Sequence, residues 1–188
     1  MRTTVSSLQC HPLAAGAVPA SMGALTASAA FGDDGQLVLT YDCVVRLSEI
    51  RLPQPTVPGL ADELWRHTCC ELFIGKINAA DYREFNFSPS GLWAVYDFSG
   101  YRLPCVTSPE GGPSHQFSTT PSGWCLTARI PRQLLPRSAL AELELSLTVV
   151  IEAAAGGLSY WALTHPRENP DFHDRAGFIL RGSEISEV

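Results

Sequence analysis

The sequence predicts an all-β protein, an antiparallel β-sandwich with little helix, and two observations predict it. The first is periodicity, because apolar and polar residues alternate over short segments and no stretch shows a long 3.6-residue apolar repeat. The second is spacing, because about ten such segments follow at hairpin intervals, separated by Gly, Pro, Asp and Ser. No linker or repeat interrupts the 188 residues, so we expect residues 1–188 to form a single domain.

Turn signals bound the predicted strands. Asp33-Asp34-Gly35, Pro89-Ser90-Gly91 and Pro121-Ser122-Gly123 each join two alternating segments, with Gly able to accept a positive φ. Only residues 132–142 suit a helix, and Pro136 limits that helix to one or two turns. The predicted strand ranges are 23–31, 36–46, 64–74, 82–88, 92–98, 115–120, 124–130, 142–153, 158–165 and 177–181.

Composition and charge argue against several partners. The net charge is −6, and the 13 Lys and Arg residues are scattered, whereas nucleic-acid binders carry a basic stripe. No stretch approaches the roughly 20 apolar residues of a membrane span. The first thirty residues lack the compact apolar segment of a secretory signal. We therefore expect a cytoplasmic protein that starts at Met1 and binds neither nucleic acid nor membrane.

The six cysteines are expected to be small buried thiols rather than a metal or disulfide framework. A core of this size needs no disulfide staple, and a cytosolic chain keeps its thiols reduced. No Cys-x-x-Cys pair is present, which argues against a zinc knuckle or a thioredoxin-like motif. The cysteines are Cys10, Cys43, Cys69, Cys70, Cys105 and Cys125.

Alternation along a strand sorts each predicted hairpin into a core face and a second face, provided that no β-bulge intervenes. The predicted core sets are Phe85, Phe87, Leu92, Ala94, Tyr96 and Phe98 in one hairpin, and Leu143, Leu145, Leu147, Val149, Ile151, Leu158, Tyr160 and Ala162 in another. The opposite faces then carry Tyr82, Glu84, Asn86, Trp93, Val95 and Asp97 in the first and Glu144, Ser146, Thr148, Val150, Trp161, Leu163 and His165 in the second. In residues 64–74, Glu71 lies on the face opposite Leu72.

Two tryptophans, Trp93 and Trp161, thereby fall on faces otherwise rich in Glu, Asn, Ser, Thr and Asp. A flat ring beside amides and carboxylates suits a sugar, whose apolar side stacks on the ring while its hydroxyls bond the polar neighbours. The alternative is that each Trp is a large hydrophobe that covers a sheet face against a loop. Composition alone leaves both interpretations open.

The segment from Trp161 to Asp174 is predicted to be an irregular loop braced by Pro166 and Pro170, where functional residues concentrate. A metal site would use His165, Asp171, His173 and Asp174, but their spacing matches no standard zinc pattern. Hydrogen-bonded histidines that fasten the loop are the favoured alternative. A haem site is disfavoured because the only methionines are Met1 and Met22.

Carboxylates on the strands leave catalysis open without requiring it. Glu71, Glu84 and Asp97 could supply an acid–base pair, yet Arg66 and Arg83 could equally pair with the two glutamates across neighbouring strands. Ser88-Pro89-Ser90-Gly91 is not a nucleophile elbow, which needs Gly-x-Ser-x-Gly between a strand and a helix.

Three stretches, in this order and spacing, resemble the DOMON-like proteins. They are Leu64–Phe73 (LWRHTCCELF), Tyr82–Gly91 (YREFNFSPSG) with Trp93 and Tyr96, and Tyr160–Pro166 (YWALTHP) with Pro170–His173 (PDFH) and Gly177-Phe178. The superfamily includes family-9 carbohydrate-binding modules and haem- or sugar-binding DOMON domains. The resemblance spans residues 3–181 and implies an antiparallel β-sandwich with a ligand site on a sheet face. Cys69 stands where the sugar-binding modules usually have Asp.

The sequence therefore predicts a non-catalytic module, without metal or cofactor, that binds a small polar ligand such as a saccharide. The alternatives are a protein-interaction or homodimerisation module, an enzyme that uses Glu71 or Glu84, and a haem-binding domain. The resemblance implies that the tryptophan rings hold the ligand and that polar side chains bond it. The predicted ligand-binding residues are Trp93, Trp161, Arg66, Glu71, Glu84, Asn86, His165 and His173.

Overall fold

Short strands joined by tight turns dominate the protein, as seen in a computed structural model that describes residues 4–106 and 111–187. The strands in these ranges are β1 Thr4–Ser7, β2 Gln9–Cys10, β3 Leu25–Phe31, β4 Leu37–Val44, β5 Gly59–Leu60, β6 Cys69–Lys76, β7 Tyr82–Phe87, β8 Leu92–Gly100, β9 Leu103–Cys105, β10 Ser114–Thr120, β11 Gly123–Ile130, β12 Leu143–Glu152, β13 Leu158–Ala162, β14 Leu180–Arg181 and β15 Ser186–Glu187. The helices there are 3-10 helices of three to six residues: Pro12–Ala17, Leu47–Glu49, Leu64–Arg66, Arg132–Leu134, Leu140–Glu142, Arg175–Gly177 and Gly182–Glu184.

The strands described form two sheets. The first sheet has the order β1-β3-β4-β11-β10, with β15 added to β3 in parallel. The second sheet has the order β2-β13-β12-β6-β7-β8-β5, with β14 beside β12 and β9 beside β8. Within it, β5 pairs with β8 in parallel and the other pairs are antiparallel. Antiparallel neighbours joined by short turns match the alternating sequence pattern.

The inner faces of the two sheets enclose one hydrophobic core. Strands β3, β4 and β11 contribute from the first sheet, and β6, β7 and β12 contribute from the second. The Tyr41 hydroxyl of β4 crosses this core and donates a 2.7 Å hydrogen bond to the backbone carbonyl of Glu71 in β6. The largest side chains with almost no exposure include Trp124, Tyr41, Phe31, Phe85, Phe87, Leu39 and Leu72. Two sheets packed face to face in this way make a β-sandwich.

The predicted all-β sandwich is confirmed, and most predicted strands match observed ones within a few residues. The turn glycines Gly35 and Gly91 adopt φ of 74° and 98°, as the turn signals predict. Two differences matter. The predicted strand 64–74 begins as a 3-10 helix at Leu64–Arg66, and short strands such as β5 and β9 lie in segments that the sequence predicts as loops. Strands of two or three residues carry too little alternation to be detected.

The cysteine prediction is confirmed for three of the six residues. All six thiols are free, and Cys43, Cys69 and Cys70 are buried. Cys10 and Cys125 are half-buried, and Cys105 is exposed in β9, so the prediction of burial is wrong for Cys105. That strand pairs only over a few residues at the margin of the second sheet, where nothing covers its side chains.

Candidate functional site

The outer face of the second sheet, which points away from the core, carries the candidate site. The register places Glu71 of β6 opposite Asn86 of β7 and Thr148 of β12, so these side chains share that face. Glu84 lies opposite Phe73 in the same register and therefore points to the same side. Alternation on β6 and β7 thus assembles two carboxylates on one face, as the sequence predicts.

Glu71 lies at the floor of the site and is only 2% exposed. Its Oε2 accepts a 3.2 Å hydrogen bond from the Thr148 hydroxyl, while its Oε1 is buried without a hydrogen-bond partner. Burial raises the pKa of Glu71 well above its usual range, and the Glu84 carboxylate raises it further, against the opposing effect of the Thr148 bond. A buried carboxyl group with a raised pKa is stabilised either by keeping its proton or by pairing with a cation.

Glu84 is the second carboxylate of the floor. Its Oε1 accepts a 2.7 Å hydrogen bond from the Asn86 amide, and the Asn86 oxygen accepts a 3.5 Å bond from the Cys69 thiol. Burial raises the pKa of Glu84 to about 7, although the Asn86 bond and the charge of Arg102 act in the opposite direction. Glu84 therefore titrates near neutral pH, which is unusual for a carboxyl group.

His173 faces Glu84 across the site. Burial lowers the pKa of His173 to about 4, helped by the charge of Arg102, so the ring is neutral at pH 7. The Tyr82 hydroxyl accepts from the Arg102 backbone N–H at 3.2 Å and shares a 2.8 Å hydrogen bond with His173 Nδ1. The other ring nitrogen of His173, Nε2, is 3.9 Å from Glu84 Oε2.

The segment 163–174 forms one wall of the site and is fastened by its polar side chains. Asp171 accepts from the Tyr101 hydroxyl and from Arg102 Nη2, the latter at 2.9 Å. Farther along, Asp174 pairs with Arg167, and His165 Nε2 bonds the Gln9 carbonyl at 2.8 Å. The hydrogen bonds of His165 and His173 confirm the interpretation that hydrogen-bonded histidines fasten this loop, and the two aspartates add further contacts.

The opposite rim is built by the 3-10 helix Leu64–Arg66. Trp65 is 38% exposed, and its ring meets Tyr96 edge-on with centroids 5.6 Å apart. The Tyr96 hydroxyl donates to Asp62, and burial together with this bond raises the pKa of Tyr96. Glu63 precedes the helix with φ of 58°, a left-handed conformation that turns the chain toward the sheet. This turn brings Trp65 over the outer face.

Together these elements surround a cavity of about 900 Å³. Six of its lining residues carry aromatic rings other than histidine: Trp65, Phe73, Tyr96, Phe98, Tyr160 and Phe172. The charged or titratable lining residues are Asp62, Arg66, Glu71, Glu84, Arg102 and His173. Rings beside a few converging polar groups are typical of small-molecule sites.

Four of the eight predicted ligand-binding residues line this cavity: Arg66, Glu71, Glu84 and His173. Asn86 is fully buried beside Glu84 and holds that carboxylate in place. His165 lies outside the lining, half-buried, with its ring edge-on to His11 at 4.8 Å. The cavity therefore unites the predicted carboxylates with His173 and separates them from His165.

The prediction that Trp93 and Trp161 point to the polar face is wrong. Trp161 lies opposite Val149 and is 8% exposed in the core, with its indole N–H bonded to Ser159 Oγ at 3.0 Å. Trp93 lies opposite Phe87, packs against the same core and is half-buried. The loop glycine Gly112 covers it so closely that an added Cβ would lie 2.2 Å from the ring. Both indoles are thus hydrophobes of the inner side.

The two tryptophans point inward because of the number of residues that separate the paired positions in each hairpin. Phe87 pairs with Trp93 and Glu152 pairs with Leu158, so residues 88–92 and 153–157 separate the paired positions. An odd number of separating residues puts odd-numbered positions of both strands on one face. The prediction assigns the faces of β8 and β13 from hydrophobicity alone, and it therefore exchanges the core face and the outer face of both strands.

The same inversion explains which site residues the sequence reasoning missed. Tyr96, Phe98 and Tyr160 were assigned to the core, and the register places them on the outer face. Phe172 reaches the cavity from an irregular segment and Trp65 from the 3-10 helix Leu64–Arg66, and neither belongs to a strand whose alternation could define its direction. Counting the residues between the paired positions of each hairpin assigns Tyr96, Phe98 and Tyr160 to the outer face.

Within residues 4–106 and 111–187, no group of three or more His, Cys, Asp or Glu side chains is arranged to hold a metal ion. Across the same residues, no helix has the length and apolar content to cross a membrane. Asp171 pairs with Arg102 and Asp174 pairs with Arg167, so both carboxylates of the metal set considered in the sequence are engaged in ion pairs.

Comparison with known proteins supports the fold. No protein-family model matches the chain, and no curated protein matches it. Among solved structures, the chain is similar to a candidate carbohydrate-binding protein from Bacteroides uniformis, with a TM-score of 0.67 and 14% sequence identity. The similarity covers 94% of this chain and 84% of that chain. At this identity the likeness establishes a shared fold, and the chain is a distant structural relative of that protein.

Proposed function

We propose that this chain is a non-catalytic module that binds a small polar ligand of the saccharide class in the cavity of the second sheet. The observation that carries the proposal is the composition of the cavity, where six rings surround carboxylate and guanidinium groups. Such rings stack on the apolar side of a sugar, and the polar groups bond its hydroxyls.

The polar groups of the cavity offer both kinds of hydrogen bond that a hydroxyl needs. Arg66 and Arg102 carry donors, while Asp62 and Glu84 carry acceptors. Trp65 and Tyr160 also line the cavity, and Trp65 keeps 38% of its surface exposed. A ring-shaped ligand with several hydroxyls fits this arrangement better than a purely apolar one.

Two further observations support the proposal. The sequence resembles the DOMON-like proteins, in which some members bind sugar on a sheet face. The solved structure with a similar fold is a candidate carbohydrate-binding protein. We assign the chain to a DOMON-like branch on these grounds.

A thermal-shift screen against mono- and oligosaccharides, followed by titration calorimetry on the best binder, tests the proposal. A binder should raise the melting temperature, because it stabilises the folded state by RT ln(1 + [L]/Kd). The change Trp65→Ala should weaken that binder by about 1–3 kcal/mol, which is roughly 5- to 150-fold in Kd.

The matched control is Trp93→Ala, the same change on the inner side of the same sheet. It should lower the melting temperature while leaving the Kd of the folded protein unchanged, because Trp93 packs on the core. Absence of any sugar-dependent shift, or equal loss of affinity in both variants, would show that the cavity is not a saccharide site.

Acid–base catalysis is the second candidate, and one observation favours it: burial raises the pKa of Glu84 to about 7 inside the cavity. A catalyst would convert the bound saccharide, and Glu84→Gln would abolish the conversion. A binding module would return the ligand unchanged. Mass spectrometry of the ligand after prolonged incubation distinguishes the two.

A further inference from the structure

The floor of the cavity holds two carboxylates that lack a cationic partner among the residues described. Glu71 Oε1 is buried without a hydrogen bond, although the residue lines the cavity. Glu84 Oε2 has only the Nε2 of His173 near it, at 3.9 Å, and that ring is neutral at pH 7. A buried acidic pair without countercharge is costly unless it holds a proton or meets a cation.

The charge of Arg102 lowers the pKa of Glu84, but each arginine of the cavity forms its ion pair with another carboxylate. Arg66 Nη2 pairs with Glu63 at 2.7 Å, and Arg102 Nη2 pairs with Asp171 at 2.9 Å. Neither contacts the floor through an ion pair. The floor therefore has an excess of acidic groups, which either keep a proton or accept positive charge from a ligand.

The rings next to the carboxylates favour the same kind of ligand. Phe73 and Phe98 both lie within about 5 Å of the His173 ring, at 5.1 Å and 5.0 Å between centroids, and so border Glu84. Tyr96 and Tyr160 complete the lining on the outer side. The face of an aromatic ring attracts a cation electrostatically, most strongly where water is excluded.

We propose that the ligand is an amino sugar, whose protonated amine is held by Glu84 with Glu71 behind it, while the rings and arginines hold the rest of the sugar. This inference rests on the proposed function and narrows it to one chemical class. The unpartnered oxygen of Glu71 and the absence of a charged partner within hydrogen-bond distance of Glu84 Oε2 among the residues described favour an amine over a further hydroxyl group.

Titration calorimetry at pH 7 with matched probes tests the inference. The probes are D-glucosamine, D-glucose and N-acetyl-D-glucosamine, together with the same three forms of galactose. The free amino sugar should bind at least about tenfold more tightly than its hydroxyl and N-acetyl counterparts, because a charge-assisted bond to a buried carboxylate is stronger than a neutral one.

The variant Glu84→Gln keeps the shape of the side chain and removes its charge. In this variant the preference for the amine should fall to about threefold or less, because less than 1 kcal/mol of discrimination would then remain. Glu71→Gln provides a second test of the same kind. The control is Glu168→Gln, an exposed acidic residue outside the cavity, which should leave the preference intact.

The outcomes separate this inference from the proposed function. Sugars that bind without preference for the amine, or a preference that survives Glu84→Gln, would overturn the inference and leave the saccharide module standing. Ethylammonium is added as a probe without a sugar ring, and its binding without binding of any sugar would overturn both the saccharide proposal and the amino-sugar assignment. Binding of neither class would overturn both.

Discussion

Trp161 of β13 lies directly opposite Val149 of β12, so its indole is part of the core between the sheets. Truncating a buried tryptophan leaves a cavity, and Trp161→Ala should therefore lower the free energy of unfolding by about 3–5 kcal/mol. Trp65→Ala is the matched control, because the same change at the exposed rim should cost far less. Urea denaturation measures both, and a loss of less than about 1 kcal/mol at Trp161 would contradict the core assignment.

The hydroxyl of Tyr41 connects the two sheets directly beneath the candidate site. Its hydrogen bond to the Glu71 carbonyl is fully buried, so Tyr41→Phe should lower the free energy of unfolding by about 1–2 kcal/mol. Tyr160→Phe serves as the control, since the Tyr160 hydroxyl makes no hydrogen bond among the residues described. Equal effects of the two changes in denaturant unfolding would show that the cross-sheet bond contributes nothing.

Glu84 should make stability depend on pH in a defined direction. Its pKa is about 7 in the folded protein against 4.5 for the ordinary group, so the folded state holds a proton that the unfolded chain releases. The stabilising contribution is fully present below pH 4.5 and is lost as the pH rises to about 7. The upper limit of the effect is about 3 kcal/mol.

Unfolding measured between pH 5 and pH 8 for the protein and for Glu84→Gln isolates this contribution. The variant should gain stability relative to the original protein as the pH rises, because it no longer carries the buried charge. A stability difference that does not change with pH would contradict the assignment of the raised pKa to Glu84.

The titration of His173 should change stability with pH in the direction opposite to that of Glu84. Variants of each residue alone are therefore needed to separate the two contributions. Its pKa is lowered from 6.5 to about 4, so its contribution to stability is present above pH 6.5 and is lost as the pH falls toward 4. In His173→Asn this loss should disappear and the slope from Glu84 should become visible. Identical pH profiles for the variant and the original protein would refute a buried neutral ring.

Asp171 holds the wall of the cavity rather than the ligand. It accepts hydrogen bonds from Tyr101, from Arg102 and from the His173 backbone, so Asp171→Ala should release the segment 163–174. We expect faster hydrogen exchange in that segment and saccharide affinity lowered about tenfold, a loss of about 1.4 kcal/mol. Glu168→Ala, in the same segment, is the control. Unchanged exchange in Asp171→Ala would show that the wall is held by other contacts.

Local patterns in the sequence determined the fold class and half of the site. Alternation along β6, β7 and β12 assigns Leu72, Phe85 and Leu147 to the core, and the register agrees. The same alternation assigns Glu71 and Glu84 to the other face, so the acidic floor was predictable. These strands have six to ten residues each, and the alternation of neighbouring residues suffices to define their faces.

The tertiary structure alone decided which rings surround that floor. The faces of β8 and β13 depend on strand pairing across two turns, and an odd separation exchanges Trp93 for Tyr96 and Trp161 for Tyr160. Trp65 and Phe172 reach the cavity through a 3-10 helix and an irregular segment, both held by contacts with residues far away in the chain. Local hydrophobicity carries no information on such pairings, because they are set by hydrogen bonds between distant segments.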